Sequence, residues 1–283
     1  MNSIPTVTKN LLIINVLCFF GGVVAMKYGI DLNDLLGLHF FMASDFNPAQ
    51  LITYMFMHAG ILHILFNMLW LYWFGSLFLY FFSAKHLRGL YVLGGICGGL
   101  LYMVAYNEFH LLSSQVTGAT LVGASASVLA IVAATAYREP NYRVQLFLFG
   151  AIRLKYLALV VIGIDVLSIT SSNAGGHIAH LGGALAGLWF AASLSKGTDL
   201  TSWINWILDG FISLFQKKTW KRKPKMKVHY GNSATGREKD YDYNAHKKAQ
   251  SDEVDRILEK LKKSGYDSLT TEEKKSLFDA SKR

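Results

Sequence analysis

Hydrophobic residues in this chain come in long unbroken runs, and the polar residues are gathered between them. A helix needs roughly 20 apolar residues to cross the hydrocarbon core of a bilayer, or somewhat fewer when its ends snorkel. Six runs approach that length: about Leu11–Met26, Ile61–Phe82, Leu90–Tyr106, Val122–Tyr137, about Tyr156–Thr170 and His177–Leu194. The pattern predicts an all-α membrane protein with six transmembrane helices. The stretch from Tyr28 to about Gly60 is long and partly apolar, but too broken to span. It is expected to form a long, partly structured outer loop after the first helix, and loops of this length are often functional.

The charges fix an orientation. Lys85 and Arg88 lie between runs two and three, and Arg138, Arg143, Arg153 and Lys155 between runs four and five. Lys196 and the block Lys217–Lys227 follow run six. The alternate segments, Tyr28–Gly60, Asn107–Leu121 and Ser171–Gly176, hold no Lys or Arg, with Lys27 the exception at their edge. Basic residues favour the cytoplasmic side, so both termini are expected in the cytoplasm.

Composition sharpens this division. Of 283 residues 52% are hydrophobic, yet the chain carries a net charge of +9. Up to Ser195 there are eight Lys/Arg and six Asp/Glu; the remainder holds twenty and thirteen, so most of the positive charge belongs to the tail. The division predicts a membrane domain over 1–195, an interfacial, polybasic segment over 196–227, and a cytoplasmic linker with a small helical tail over 228–283. A basic tail on an apolar body speaks for a membrane surface, not for nucleic acid. Cys18 and Cys97, both within apolar runs, make neither a disulfide framework nor a metal knuckle. The first run follows a single Lys9 and lacks a small-residue cleavage site, so it reads as a retained helix.

Within the tail, Trp203, Trp206, Ile207, Phe211 and Phe215 recur at roughly helical spacing. They fit an interfacial helix against anionic lipid or, equally, a helix docked on the membrane domain. Val228–Gln250 reads as a linker and Asp252–Lys263 as a helix. Thr270 and Glu273 form a capping box for a second short helix.

Polar side chains in membrane spans are costly and commonly functional. Runs two, four and six all begin at the outer face, so distance along each measures depth at about 1.5 Å per residue. His63 and Asn67, Ser125, and His180 all fall within the first one or two turns. A serine becomes a nucleophile when a base takes its proton, and His180 is the candidate base. His63 and Asn67, at i and i+4, share a helix face and can donate hydrogen bonds to an oxyanion. The Ser125 backbone N–H is a further donor. Gly183 and Gly187 form a small-residue face below His180, matched by Gly123, Ala126 and Ala130.

Plainer readings stand beside these. A serine in a membrane helix usually bonds its own backbone, and Ser127 fits that case. His63 and Asn67 could join helices, His58 could steady the outer loop, and Asp165 could be a buried carboxyl or a proton relay. His177 and His180 form HxxH, and His58 with His63 a second pair. No carboxylate lies at ligand spacing in sequence to either, so no metal is expected.

Three motifs resemble the rhomboid family of intramembrane serine proteases. Gly123-Ala124-Ser125-Ala126 resembles its GxSx motif. Ala179-His180-Leu181-Gly182-Gly183, extended to Gly187, resembles AHxxGxxxG. His58, His63, Phe66, Asn67 and Met68 resemble HxxxxHxxFN. The resemblance covers about Thr53–Leu188. It implies a six-helix rhomboid bundle in which Ser125 is the nucleophile, His180 the base, and His63 with Asn67 the oxyanion pair. It further implies single-span membrane proteins as substrates, admitted between spans two and five and cut near the outer face, with no metal or cofactor. A cell membrane, the bacterial inner membrane, is the expected location; oligomeric state is left open.

The sequence departs from the family at three places. Ala49-Gln50 stands where many members have Trp-Arg in the outer loop. Leu129 replaces the aromatic that often packs under the histidine, and Ala126 replaces a frequent glycine. The tail from Asp252 to Arg283 is similar to a module attached to some bacterial rhomboids. Two competing readings remain: a catalytically silent rhomboid-like protein that binds membrane clients, and a small transporter with Asp165 and the histidines as a proton path.

Overall fold

The computed structural model describes residues 4–108, 119–146, 150–171, 173–215 and 234–281. The basic block Lys217–Lys227 and most of Asn107–Leu121 lie outside the described residues. Two compact units divide at Lys217.

The first unit is mostly helical. It contains α1 (Thr6–Met26), the short α2 (Leu32–Leu36) and α3 (Gln50–Thr53), α4 (Ile61–Phe78), α5 (Ala84–Glu108), α6 (Ser125–Arg138), α7 (Leu154–Leu167), α8 (Ala174–Ser195) and α9 (Ser202–Phe215). Each of the six apolar runs overlaps one helix. Four of them, α1, α4, α5 and α8, are long and apolar enough to cross a membrane. The helices α6 and α7 have 14 residues each, or about 21 Å at 1.5 Å per residue. Between these two the basic segment forms an antiparallel ribbon, β1 (Arg143–Leu146) and β2 (Gly150–Arg153), with Arg143 opposite Arg153. Hydrophobic run length alone carried no sign of this ribbon, because its strands are short and charged.

The centre of the unit is α6, buried from Ala126 to Ala136. A helix apolar all round belongs inside a bundle, and its many alanines let neighbours come close. A Cβ added to Gly183 would lie 2.0 Å from the Ala126 carbonyl oxygen, and one on Gly187 would lie 2.1 Å from that of Ala130. The backbones of α6 and α8 therefore touch. On the other side Gly94 and Gly98 of α5 receive the Ala130 and Ala126 side chains. Ala126, where the family often has glycine, thus fits into a space that Gly98 leaves open. Gly182 closes the triangle against the Cys97 carbonyl and the Gly98 Cα. Helix α1 adds only a narrow seam, with Thr8, Leu11 and Asn15 buried, and Asn15 hydrogen-bonds Tyr91 of α5.

The outer loop is tied down by Gln50. Its side chain is buried. Its amide donates to the Leu35 and Asp45 carbonyls, and its carbonyl accepts from the His39 and Asn47 N–H groups. Thr53 Oγ1 donates to the Leu36 carbonyl at 2.6 Å. Leu38 pairs with Leu121 through two backbone hydrogen bonds. A single amide side chain thereby gathers the loop where the family's Trp-Arg is missing.

At the opposite end α9 docks on the start of α5. Arg88 donates to Asn205 and Asp209, and Gly89 lets Thr201 approach. This favours the docked reading of α9, yet Trp203, Trp206 and Ile207 stay exposed, so its other side remains apolar and open.

The second unit is a helical hairpin of α10 (Ala234–Ser264) and α11 (Thr271–Ser281). The helix reaches back to Ala234, so the residues from Ala234 to Gln250 are not the linker that their polar composition suggests. The capping box forms: Thr270 N–H donates to the Glu273 carboxylate, and Glu273 N–H donates to Thr270 Oγ1. Lys260 pairs with Glu273 across the hairpin at 2.9 Å.

Gly187→Ala should lower the melting temperature in detergent, because overpacking of a tight contact costs about 1–3 kcal/mol. Gly163→Ala, where nothing lies within 4 Å of an added Cβ, should leave it unchanged or raise it. Equal melting of Gly187→Ala and wild type would contradict the backbone contact.

Candidate active site

Ser125 is the first residue of α6. Run four begins at Val122, but the chain does not turn helical until Ser125, because Gly123 adopts φ +131°, a region that only glycine occupies without strain. The Gly123 N–H donates to the Tyr54 carbonyl at 3.0 Å. A Cβ on Gly123 would lie 2.8 Å from the His63 ring and 3.5 Å from Ser125 Oγ. Glycine is required here by backbone angle and by space at once.

Ser125, His63, Asn67 and His180 line one cavity of about 950 Å³. The structure therefore brings together all four polar groups that the depth argument placed at one level. The other walls come from Phe66 and Trp70 of α4, Tyr102 and Tyr106 of α5, Leu129 of α6, Val161 of α7, and Asn173 with Gly175 and Gly176 at the start of α8. Ser127 points elsewhere: its side chain is fully buried, with Oγ 3.9 Å from Met55 Sδ. The contact of Gly183 with Ala126 holds the helix of His180 against the turn that carries Ser125.

The His63 tautomer can be read from its partner. The Ala59 N–H donates to His63 Nδ1 at 3.3 Å, so Nδ1 accepts and the proton of the neutral ring sits on Nε2. That nitrogen lies against Gly123, where it can donate into the cavity. Asn67 donates one amide N–H to the His63 carbonyl at 2.9 Å and retains a second.

His58 precedes α4, and its ring meets His63 edge-on at 5.2 Å. It is buried. Burial, with His63 nearby, pushes its pKa down to about 4. Its carbonyl accepts from the Asn33 side chain of the outer loop at 3.3 Å.

Asp165 is the residue whose place sequence reasoning missed. Spacing along the chain put no carboxylate near the HxxH pair, but the turn between α7 and α8 folds Asp165 back onto it. His180 Nδ1 and His177 Nδ1 each lie 2.8 Å from Asp165 Oδ1. The signal in the sequence was an acidic residue in the outer half of a span, followed by a turn of about six residues. These three groups also have ligand atoms within 4.8 Å of one another, close enough to share a metal ion. Hydrogen bonding accounts for both short distances.

Comparison with known proteins agrees with the motifs. The Rhomboid domain family matches residues 46–197, more than half of the chain. The chain belongs to the rhomboid family. Residues 237–283, the helical hairpin, match a family of unknown function, DUF6576. RHOMBOID-like protein 12, mitochondrial, of Arabidopsis thaliana is 32% identical over 156 residues, which is 52% of this chain and 46% of that protein. The match thus spans about half the length of the plant rhomboid-like protein. As a rhomboid-family protein with spanning-length apolar helices, the chain is a membrane protein.

The His58 shift predicts a pH dependence of stability. The unfolded state takes up a proton near the ordinary histidine pKa of about 6.5, and the folded state does so only near 4. Stability is therefore lost as pH falls from about 6.5 toward 4, by about 3 kcal/mol at most. Melting in detergent should show a smaller acid-induced drop for His58→Gln than for wild type. Parallel curves would refute the assignment.

Proposed function

We propose that this rhomboid-family protein is an intramembrane serine endopeptidase. It cleaves single-span membrane proteins near the outer face of a cell membrane, with both termini in the cytoplasm. The observation that carries the reading is the convergence of Ser125, His180, His63 and Asn67 on one cavity. The Ser125 Oγ attacks the scissile carbonyl while its proton passes to His180 Nε2. The oxyanion takes hydrogen bonds from His63 Nε2–H, the free Asn67 N–H and the Ser125 backbone N–H. His180 then gives the proton to the leaving amine, and water resolves the acyl-enzyme by the same route in reverse.

Helix length supports a submerged site within a six-span bundle. A helix of about 21 Å is shorter than a hydrocarbon core of about 30 Å; with Arg138 at its far end in the interface, α6 begins below the outer edge of the membrane, and water reaches Ser125 through the cavity. Phe66 and Trp70 of α4 and Val161 of α7 line that cavity, which supports admission of a substrate helix between spans two and five. The alternative is a silent protein that binds clients in the same cavity. Retention of both Ser125 and His180 favours the protease.

Ser125→Ala and His180→Ala should each abolish cleavage of a transmembrane reporter in proteoliposomes. His63→Ala should lower kcat on the order of 10²–10³-fold, as loss of one oxyanion donor does, and Ser127→Ala should change it little. A fluorophosphonate should label Ser125. Undiminished cleavage by purified Ser125→Ala would overturn the protease reading, and a Ser125 that no serine-directed probe labels would favour the silent one.

A further inference from the structure

The hydroxyl and the imidazole do not make up the whole catalytic unit. Asp165 stands in the last turn of α7, where the negative end of the helix dipole disfavours a carboxylate. It is also buried, which disfavours its charge again. Two unfavourable placements need compensation, and the described residues supply it at one atom. Asp165 Oδ1 accepts from His180 Nδ1 and His177 Nδ1, both at 2.8 Å, while Oδ2 has no hydrogen-bond partner among the described residues. A carboxylate oxygen has two lone pairs and can accept both.

We propose that Asp165 is a positioning residue that turns the Ser125–His180 pair into a triad, with His177 as a second strut on the same carboxylate oxygen. This rests on the protease reading above. Accepting the Nδ1–H of His180 fixes that tautomer and leaves the Nε2 lone pair free for the Ser125 proton. When Nε2 takes that proton the ring becomes an imidazolium, and the Asp165 charge stabilises it. The proton stays on the imidazole until it passes to the leaving amine; Asp165 never takes it. His177 makes no contact with the reacting atoms. As a second donor it holds the carboxylate plane against the start of α8, so that Oδ1 cannot turn away from His180.

Among the described residues Asp165 supplies the hydrogen bond to the His180 ring, at Nδ1. Leu129 of α6 and Val161 of α7 line the same cavity and carry no hydrogen-bonding group. Orientation of the base is therefore assigned to the carboxylate.

Two measurements test this. Kinetics in proteoliposomes should show Asp165→Asn, which keeps size and removes charge, with kcat down on the order of 10²–10⁴-fold, as for triad carboxylates elsewhere. KM should stay within about threefold, since the carboxylate acts on the base and not on substrate binding. His177→Gln should cost less than Asp165→Asn. A kcat for Asp165→Asn within about tenfold of wild type overturns the proposal. Nitrogen-15 NMR of histidine-labelled wild-type protein, with the His180 signals assigned from His180→Gln, should find a neutral ring with the proton on Nδ1 in a strong hydrogen bond. That signature should vanish in Asp165→Leu. A His180 proton on Nε2 in the wild type overturns the proposal whether or not any variant folds. Failure of the protease reading is distinct: there Ser125→Ala still cleaves, whereas here Ser125→Ala is inactive and Asp165→Asn remains fully active.

Discussion

Backbone contact between α6 and α8 is the constraint on which the rest depends. Side chains reach only a few ångströms, so a serine on one helix and an imidazole on another can cooperate only if their axes come unusually close. Gly183 and Gly187 remove the side chains that would keep the axes apart, and the carbonyls of Ala126 and Ala130 occupy the vacated space. In lipid no hydrophobic force pushes helices together, so close packing of this kind does most of the holding. The same contact that stabilises the bundle therefore sets the geometry of the site.

The second constraint is at the surface of the bundle. Gly123 must bend the chain before Ser125, and the bend is supported from the outer loop through Tyr54, Leu38 and Leu121. Gln50 gathers that loop with four hydrogen bonds. A buried amide with both ends satisfied fixes a loop more sharply than apolar packing does, since each bond has a direction. The loop thus does structural work for the turn that presents Ser125.

Much of this was legible in the sequence because depth in a membrane is a linear coordinate. Counting from the outer ends of spans two, four and six was enough to place His63, Asn67, Ser125 and His180 on one level. The glycines after His180 could likewise be read as contacts. Asp165 was not legible as a partner, because its meaning depends on how a turn folds the chain back, and no spacing rule carries that. Gln50 appeared only as a departure from a motif, whereas its role comes from carbonyls contributed by distant parts of the loop. The β1–β2 ribbon and the early start of α10 were missed for a related reason. Short charged strands and polar helices have no hydrophobic period to reveal them.

Helix α7 is thinly held, with Leu159, Val160, Ile164 and Leu167 all exposed on its outside. Its outer end is nonetheless the end that carries Asp165. A wall of the cavity and the carboxylate beside His180 are thus one rigid element. If α7 swings out to make room for a guest helix, it takes the carboxylate away from His180, and when it settles back the base is set again. On the proposed protease reading, an open door and an armed catalyst exclude each other.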